Sequence, residues 1–179
     1  MCYYHFGDFM NCIEICSLPE FNFAHSYEAN SYKNNFITTD NKIEISYMSE
    51  GESSITVDGK TYNLKKGDVC CNIFNKPIRT ESNTYHCHHT VCASVKYKCV
   101  DNDSNGLYIP YIVPCSKMDD EIKKGIDSFV YSPHIYENSA TKTAALFLNI
   151  LCKIDEVARK ENNLNQHSSE VLTYKDKPY

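Results

Sequence analysis

Ile45-Ser-Tyr-Met-Ser-Glu-Gly-Glu-Ser-Ser-Ile-Thr-Val-Asp-Gly-Lys-Thr-Tyr-Asn-Leu-Lys-Lys-Gly-Asp-Val69 is the stretch that decides the fold. From Lys42 to Ser49 the chain alternates, with Ile43, Ile45 and Tyr47 on one face and Glu44, Ser46 and Met48 on the other, as a half-buried strand does. The apolar face is expected to point inward. Glu50-Gly51-Glu52 predicts a turn, Ser53 to Val57 a second strand, and Asp58-Gly59 a two-residue hairpin, because both central positions of that turn favour positive φ. Lys60 to Leu64 returns from the hairpin, and Lys65-Lys66-Gly67-Asp68 turns tightly into an apolar strand from Val69 to Phe74.

Outward from this stretch the same grammar continues. Pro77 marks a break. Tyr85 to Cys99 is the longest extended stretch, with Val91, Ala93, Val95 and Tyr97 on one face and Thr90, Ser94, Lys96 and Lys98 on the other. Asp101 to Gly106 reads as a polar turn, and Leu107 to Val113 as a last strand broken by Pro110. Before residue 36 no clear period is visible, which predicts a loose entry with one or two short strands. Many short strands joined by Gly and Pro turns point to a sandwich or barrel.

After Pro114 the period changes. Ser116 followed by Asp119 reads as a capping pair, and Ile122, Ile126, Phe129 and Val130 recur at helical spacing until Ser132-Pro133. A second helix is predicted from Asn138 or Ser139 to Lys160, with Phe147, Ile150, Leu151, Ile154, Val157 and Ala158 as its apolar stripe. Its length, about 33 Å at 1.5 Å per residue, suggests that it projects beyond the sheet. Phe147, Leu151, Ile154 and Ala158 are then expected to make a two-fold contact with a second copy; the bland alternative packs both helices on their own sheet.

With 179 residues, of which 42% are hydrophobic, the chain can bury a proper core. A net charge of -5 disfavours direct binding to nucleic acid or to an anionic membrane surface. The first residues, Met1 to Asp8, lack a signal-peptide pattern and no transmembrane run is found, so a cytoplasmic location is expected. Ten cysteines without a Cys-x-x-Cys pair read as buried free thiols acting as small apolar fillers.

The run from Ile45 to Val69, with His86-Cys-His-His-Thr-Val91 and the helix pair, resembles the sensor domain of AraC-type bacterial transcription regulators, over residues 36 to 163. The resemblance implies a mainly β chain with C-terminal helices: a cupin-like barrel (double-stranded β-helix, or jelly roll) followed by an α-helical hairpin. It implies a cupin-like effector-binding barrel with an N-terminal arm at 1–115, a two-helix dimerisation region at 116–163, and a linker at 164–179. The barrel would bind a small effector, a sugar or related metabolite, and the second helix would make a homodimer. DNA would be contacted only through a helix-turn-helix domain not contained in these residues.

Catalytic cupins hold a metal through histidines and a glutamate after the first conserved glycine, yet Glu52-Ser-Ser-Ile-Thr-Val57 and Asn75-Lys-Pro-Ile-Arg-Thr-Glu-Ser82 contain no histidine. No enzyme activity, cofactor or metal is therefore expected. The competing reading is a metal-dependent isomerase or dioxygenase using His86, His88 and His89. Alternation places His86, His88 and Cys92 on one face and His89 on the other with Val91 and Ala93, which makes His89 the first candidate to meet an effector. Tyr47, on the face of Ile43 and Ile45, could stack on a ligand, and Arg79 could fork onto its oxygens. The effector-binding candidates are thus Tyr47, Arg79, His86, His88 and His89, each with a plain packing or surface alternative.

Overall fold

The computed structural model describes residues 10–36, 41–101, 105–132 and 139–164. Along them run β1 (Met10–Ile15), β2 (Glu20–Ala29), β3 (Tyr32–Phe36), β4 (Lys42–Val57), β5 (Lys60–Lys65), β6 (Val69–Ile73), β7 (Ile78–Ser82), β8 (His86–Ser94), β9 (Tyr97–Cys99), β10 (Leu107–Pro110) and β11 (Ile112–Val113). A 3-10 turn (Cys115–Lys117) leads to α1 (Asp120–Tyr131) and α2 (Ala140–Glu161). The chain is mainly β with two C-terminal helices. The entry is better formed than its sequence suggests, because the ten residues of β2 pair along nearly the whole of β8, from Glu20 against Ser94 to Ala29 against His86.

β4 organises the molecule by belonging to two sheets. Its first half pairs with β6 on one side and β8 on the other, and with β2 and β11 outside them forms the sheet β2–β8–β4–β6–β11. Its second half pairs with β5 and β7, and β3 lies beyond β7. A third, small sheet has the order β10–β1–β9.

The turn expected at Glu50-Gly51-Glu52 is instead a bend within one strand. Gly51 sits at φ +73°, the register with β8 slips between Met48 and Glu50, and the chain passes from one sheet to the next without reversing. A Cβ on Gly51 would lie 2.1 Å from the Tyr85 carbonyl oxygen, so only glycine lets β8 come this close. Asp58-Gly59 turns as its residues predict, at φ 51° and 73°, and seats Val57 opposite Lys60.

The inward direction of β4 and β8 is reversed from the sequence expectation. Ile43, Ile45 and Tyr47 join Val69, Cys71, Ile73, Val91 and Ala93 in a core covered by the helices, through Ile122, Ile126 and Phe129 of α1 and Phe147, Ile150, Leu151 and Ile154 of α2. The opposite face of the same strands, expected to meet solvent, looks across at the second sheet. The apolar stripes of two amphipathic helices pack on the apolar face of β4 and β8. Met48, Ile55, Val57, Tyr62, Leu64, Cys70, Phe74, Ile78 and Tyr111 fill part of the space between the sheets.

Two features of the helices also depart from expectation. Asp119 alone caps α1, its carboxylate accepting from the Glu121 amide at 2.9 Å, while Ser116 lies in the 3-10 turn. α2 does start after Ser139, whose hydroxyl accepts from the Lys142 amide at 3.3 Å, but it does not project. Asp155 accepts from the Tyr108 amide at 2.7 Å, and Arg159 both pairs with Asp155 and donates to the Gly106 carbonyl at 2.7 Å, which lays α2 along β10. Phe147, Leu151, Ile154 and Ala158 are at most 1% exposed within a single chain. They are therefore not a free surface for a two-fold contact: the chain's own core occupies them.

Among the described cysteines, Cys12, Cys70, Cys71 and Cys92 are the buried fillers expected, whereas Cys16, Cys99, Cys115 and Cys152 are exposed. Among the described residues no helix is long and apolar enough to cross a membrane. Residues 1–9 and 165–179, on which the leader and linker expectations fall, lie outside the described residues.

Candidate cavity between the two sheets

The polar face of the first sheet is laid out in rows by strand register. Glu44 stands opposite Cys92 on β8 and Asn72 on β6; Ser46 opposite Thr90 and Cys70; Met48 opposite His88. β2 adds His25 beside Thr90 and Tyr27 beside His88. Glu44, Ser46, Met48, Cys70, Asn72, His86 and His88 of this face, with Tyr32 from β3, Thr80 from β7 and Ser53 and Leu64 from the second sheet, line a cavity of about 50 Å³.

Its polar groups are only partly satisfied by one another. The Asn72 amide donates to Glu44 Oε1 at 2.9 Å, Ser46 and Thr90 hydroxyls are 2.8 Å apart, and the Cys70 thiol donates to Asn72 Oδ1 at 3.2 Å. His86 is 1% exposed, yet among the described residues neither ring nitrogen has a hydrogen-bond partner, and the Thr80 hydroxyl is likewise buried without one. Buried polar groups are normally paired, so these three atoms have capacity for hydrogen bonds that the described residues do not fill.

The ring cluster at one end of the cavity is dense. His86 and His88 stack at 5.4 Å between centroids, Tyr27 lies 5.4 Å from His88, Tyr32 5.6 Å from His86, and His25 6.1 Å from His88. Burial, followed by the neighbouring His86, His25 and His89, pushes the His88 pKa down to about 4, so His88 is neutral at physiological pH and can accept a hydrogen bond. Burial also lowers the pKa of His25. Burial raises the pKa of Glu44 above the usual carboxylate range, and the Asn72 hydrogen bond offsets only part of that. Burial lifts the Cys92 thiol to about 12, which makes it an inert packing group and not a nucleophile.

Of the five effector-binding candidates, the structure brings His86 and His88 to the cavity and leaves three elsewhere. His89 points the other way on β8: its Nδ1 is 2.7 Å from Asp127 Oδ1 on α1 and its Nε2 3.1 Å from the Tyr131 hydroxyl. Tyr47 lies beneath α1 with the Lys123 ammonium 5.2 Å from its ring centre. Arg79 is exposed on the outside of β7, where it pairs with Glu81. The positions of Tyr47 and His89 follow from alternation once the facing of β4 and β8 is reversed.

Sequence reasoning missed Glu44, Asn72, Tyr32 and Thr80 in the lining, and His25 and Tyr27 in the ring cluster against His88. Glu44 and Ser46 carried a signal, since they recur at the same strand positions as Thr90 and Cys92, but polar alternation on its own was taken to mean water. The His86-His88-His89 arrangement does not assemble a metal site. Among the described residues no group of three or more His, Cys, Asp or Glu side chains is placed to hold a metal ion.

No family model matches the sequence, and no curated protein matches it significantly. Solved structures that resemble the chain include ToxT from Vibrio cholerae bound to (E)-4-(8-methylnaphthalen-1-yl)but-3-enoic acid, at 10% identity over 76% of this chain and 57% of that one, with a TM-score of 0.45. The EutQ protein of Clostridium difficile matches at 16% identity over 42% of this chain and 61% of that one, with a TM-score of 0.36. The cupin domain of an XRE-family transcriptional regulator from Enterobacter cloacae matches at 15% identity over 45% of this chain and 95% of that one, with a TM-score of 0.34. The chain spans less than two thirds of the length of the EutQ and ToxT chains. At such scores these likenesses carry no argument about what the chain does.

Proposed function

We propose that this chain is the effector-sensing part of an AraC-type transcription regulator, with the cavity between the sheets as its effector site and α1 as the element that reads it. The observation that carries this reading is the pair of adjacent residues on β8. His88 faces the cavity, and His89 faces α1 and holds Asp127. A guest that shifts β8 therefore moves the anchor of a helix, which is how a small ligand biases a two-state element. The sequence resemblance of residues 45–69 supports the same class, and DNA contact would belong to a helix-turn-helix region beyond these residues.

A cavity of about 50 Å³ is far below the roughly 300–1,000 Å³ of pockets that hold drug-sized ligands. The effector is then a compact polar molecule of a few non-hydrogen atoms and not a sugar. Thermal melts of the full chain with compact acids, amines, amides and alcohols test this. A binder at a hundred times its Kd contributes about 2.7 kcal/mol, a rise of roughly 5–10 °C in Tm for a domain of this size. That rise should vanish in His88→Ala, and hydrogen exchange in α1 should change on binding. A rise that survives in His88→Ala places the effector elsewhere. Stoichiometric iron, manganese or zinc in freshly purified protein would instead support the metal-dependent enzyme.

A further inference from the structure

We propose that the cavity selects a compact organic ammonium ion of about the size of methylammonium. This names the ligand class of the effector site and rests on the reading that the cavity is that site. The wall offers acceptors: Glu44, the neutral ring of His88 and the unpartnered Thr80 hydroxyl, and the His86 ring beside them has both nitrogens unpartnered among the described residues. No lysine or arginine lines it, and among the described residues no cation pairs with Glu44. Burial favours the protonated form of Glu44, and a guest that brings positive charge stabilises the carboxylate form against that cost. An anionic guest would face the Glu44 carboxylate with only the Asn72 amide between the like charges, and a neutral guest would bring it no counter-charge.

The rings point the same way. Tyr32, His86 and His88 line one end of the cavity with π faces, which attract a cation, while the carboxylate and hydroxyls accept its N–H groups. A primary ammonium carries three such donors and a small apolar body, which matches a wall that mixes Met48 and Leu64 with Glu44 and Thr80. A divalent metal ion would need three or more ligating side chains converging on one point, an arrangement absent among the described residues.

The test uses the full chain at neutral pH, titrated with methylammonium chloride, and separately with sodium formate, acetamide and zinc chloride at matched ionic strength. Methylammonium is expected to raise Tm saturably by several degrees, with formate and acetamide leaving it unchanged. Glu44→Gln should fold, melt no lower than the parent and lose that response at least tenfold. In the parent chain, nuclear Overhauser contacts should appear between the methyl protons and the ring protons of Tyr32 or His88, a readout independent of whether Glu44→Gln folds. An undiminished response in Glu44→Gln, or methyl contacts away from these rings, overturns the proposal. Stabilisation by formate or acetamide that depends on His88 overturns the ammonium class while the sensing role stands, and zinc binding through Glu44 replaces it with a metal site. No response to any of the four overturns both.

Discussion

Along β8, β4 and β6 the two faces of one sheet are both largely withdrawn from solvent but in opposite chemical styles. The face under α1 and α2 is almost wholly apolar, with Ile43, Ile45, Val69, Ile73 and Val91 fully buried against Ile126, Ile150 and Ile154. The face toward the second sheet carries Glu44, Ser46, Asn72, Thr90, His86 and His88 around a small void. One face is closely packed with apolar side chains, and the other holds polar groups around the void. Strand alternation delivers both, since residues i and i+1 on β4 or β8 serve different faces. The division also says where substitutions should act on stability and where on ligand or pH response.

The largest effect is expected under the helices. Phe147 is 1% exposed and lies 6.4 Å from Phe129, so Phe147→Ala should cost about 3–5 kcal/mol in urea unfolding. Ile154→Asp would bury an unpaired carboxylate and should abolish cooperative folding. If α2 instead pairs two copies through this stripe, Ile154→Asp would give a folded monomer by sedimentation and near-native circular dichroism. A folded Ile154→Asp protein would thus break the assignment of this face to the chain's own core.

The next effect belongs to the cavity face and appears in pH. The folded-state pKa of His88, about 4, lies below the 6.5 usual for a histidine in water. Its contribution is present above pH 6.5 and is lost as pH falls through 6.5 toward 4, because the unfolded chain takes up the proton first. A separation of about 2.5 units corresponds to about 3 kcal/mol at its full extent. His88→Asn should flatten the acid limb of a stability-versus-pH curve by a similar amount. Glu44 works in the opposite sense: its pKa is raised by burial, so its favourable protonated state is complete below the unfolded value and is lost as pH rises through the folded one. An acid limb unchanged in His88→Asn would show that this side chain is not withdrawn from water.

Much of this architecture is legible from local chemistry. Asp58-Gly59 specifies its hairpin by backbone preference alone, and the strand segments from Lys42 to Val113 stand close to where alternation and turn residues put them. Facing is not legible in the same way. Period-2 alternation says that Ile45 and Glu44 point in opposite directions, but not whether the polar side meets solvent or an internal void, because both tolerate Glu and Ser. The error at Tyr47 and His89 is this single ambiguity carried through two strands. Arg79 is a separate case: its neighbour Thr80 faces the cavity, so alternation puts Arg79 outside, which only the pairing of β7 with β4 reveals. The stripe on α2 was correct as a pattern, and only its partner, the chain's own sheet, lay beyond what the helix could specify.

The smallest effect sits at the seam between the two faces, and it bears directly on whether one can inform the other. Asp127 accepts from Lys123 and His89. Burial alone would raise its pKa, but these two hydrogen bonds together hold it below the usual carboxylate range. A half-buried, charge-assisted contact of this kind is worth about 1 kcal/mol once solvent screening is allowed for. A double-mutant cycle with His89→Asn and Asp127→Asn should return a coupling of that order in urea unfolding. Repeating the cycle with the effector bound should return a different coupling, because a guest against His88 moves the same strand segment that orients His89. If the coupling energy is the same with and without a bound guest, β8 does not carry the signal to α1, and the two faces stabilise one fold without communicating.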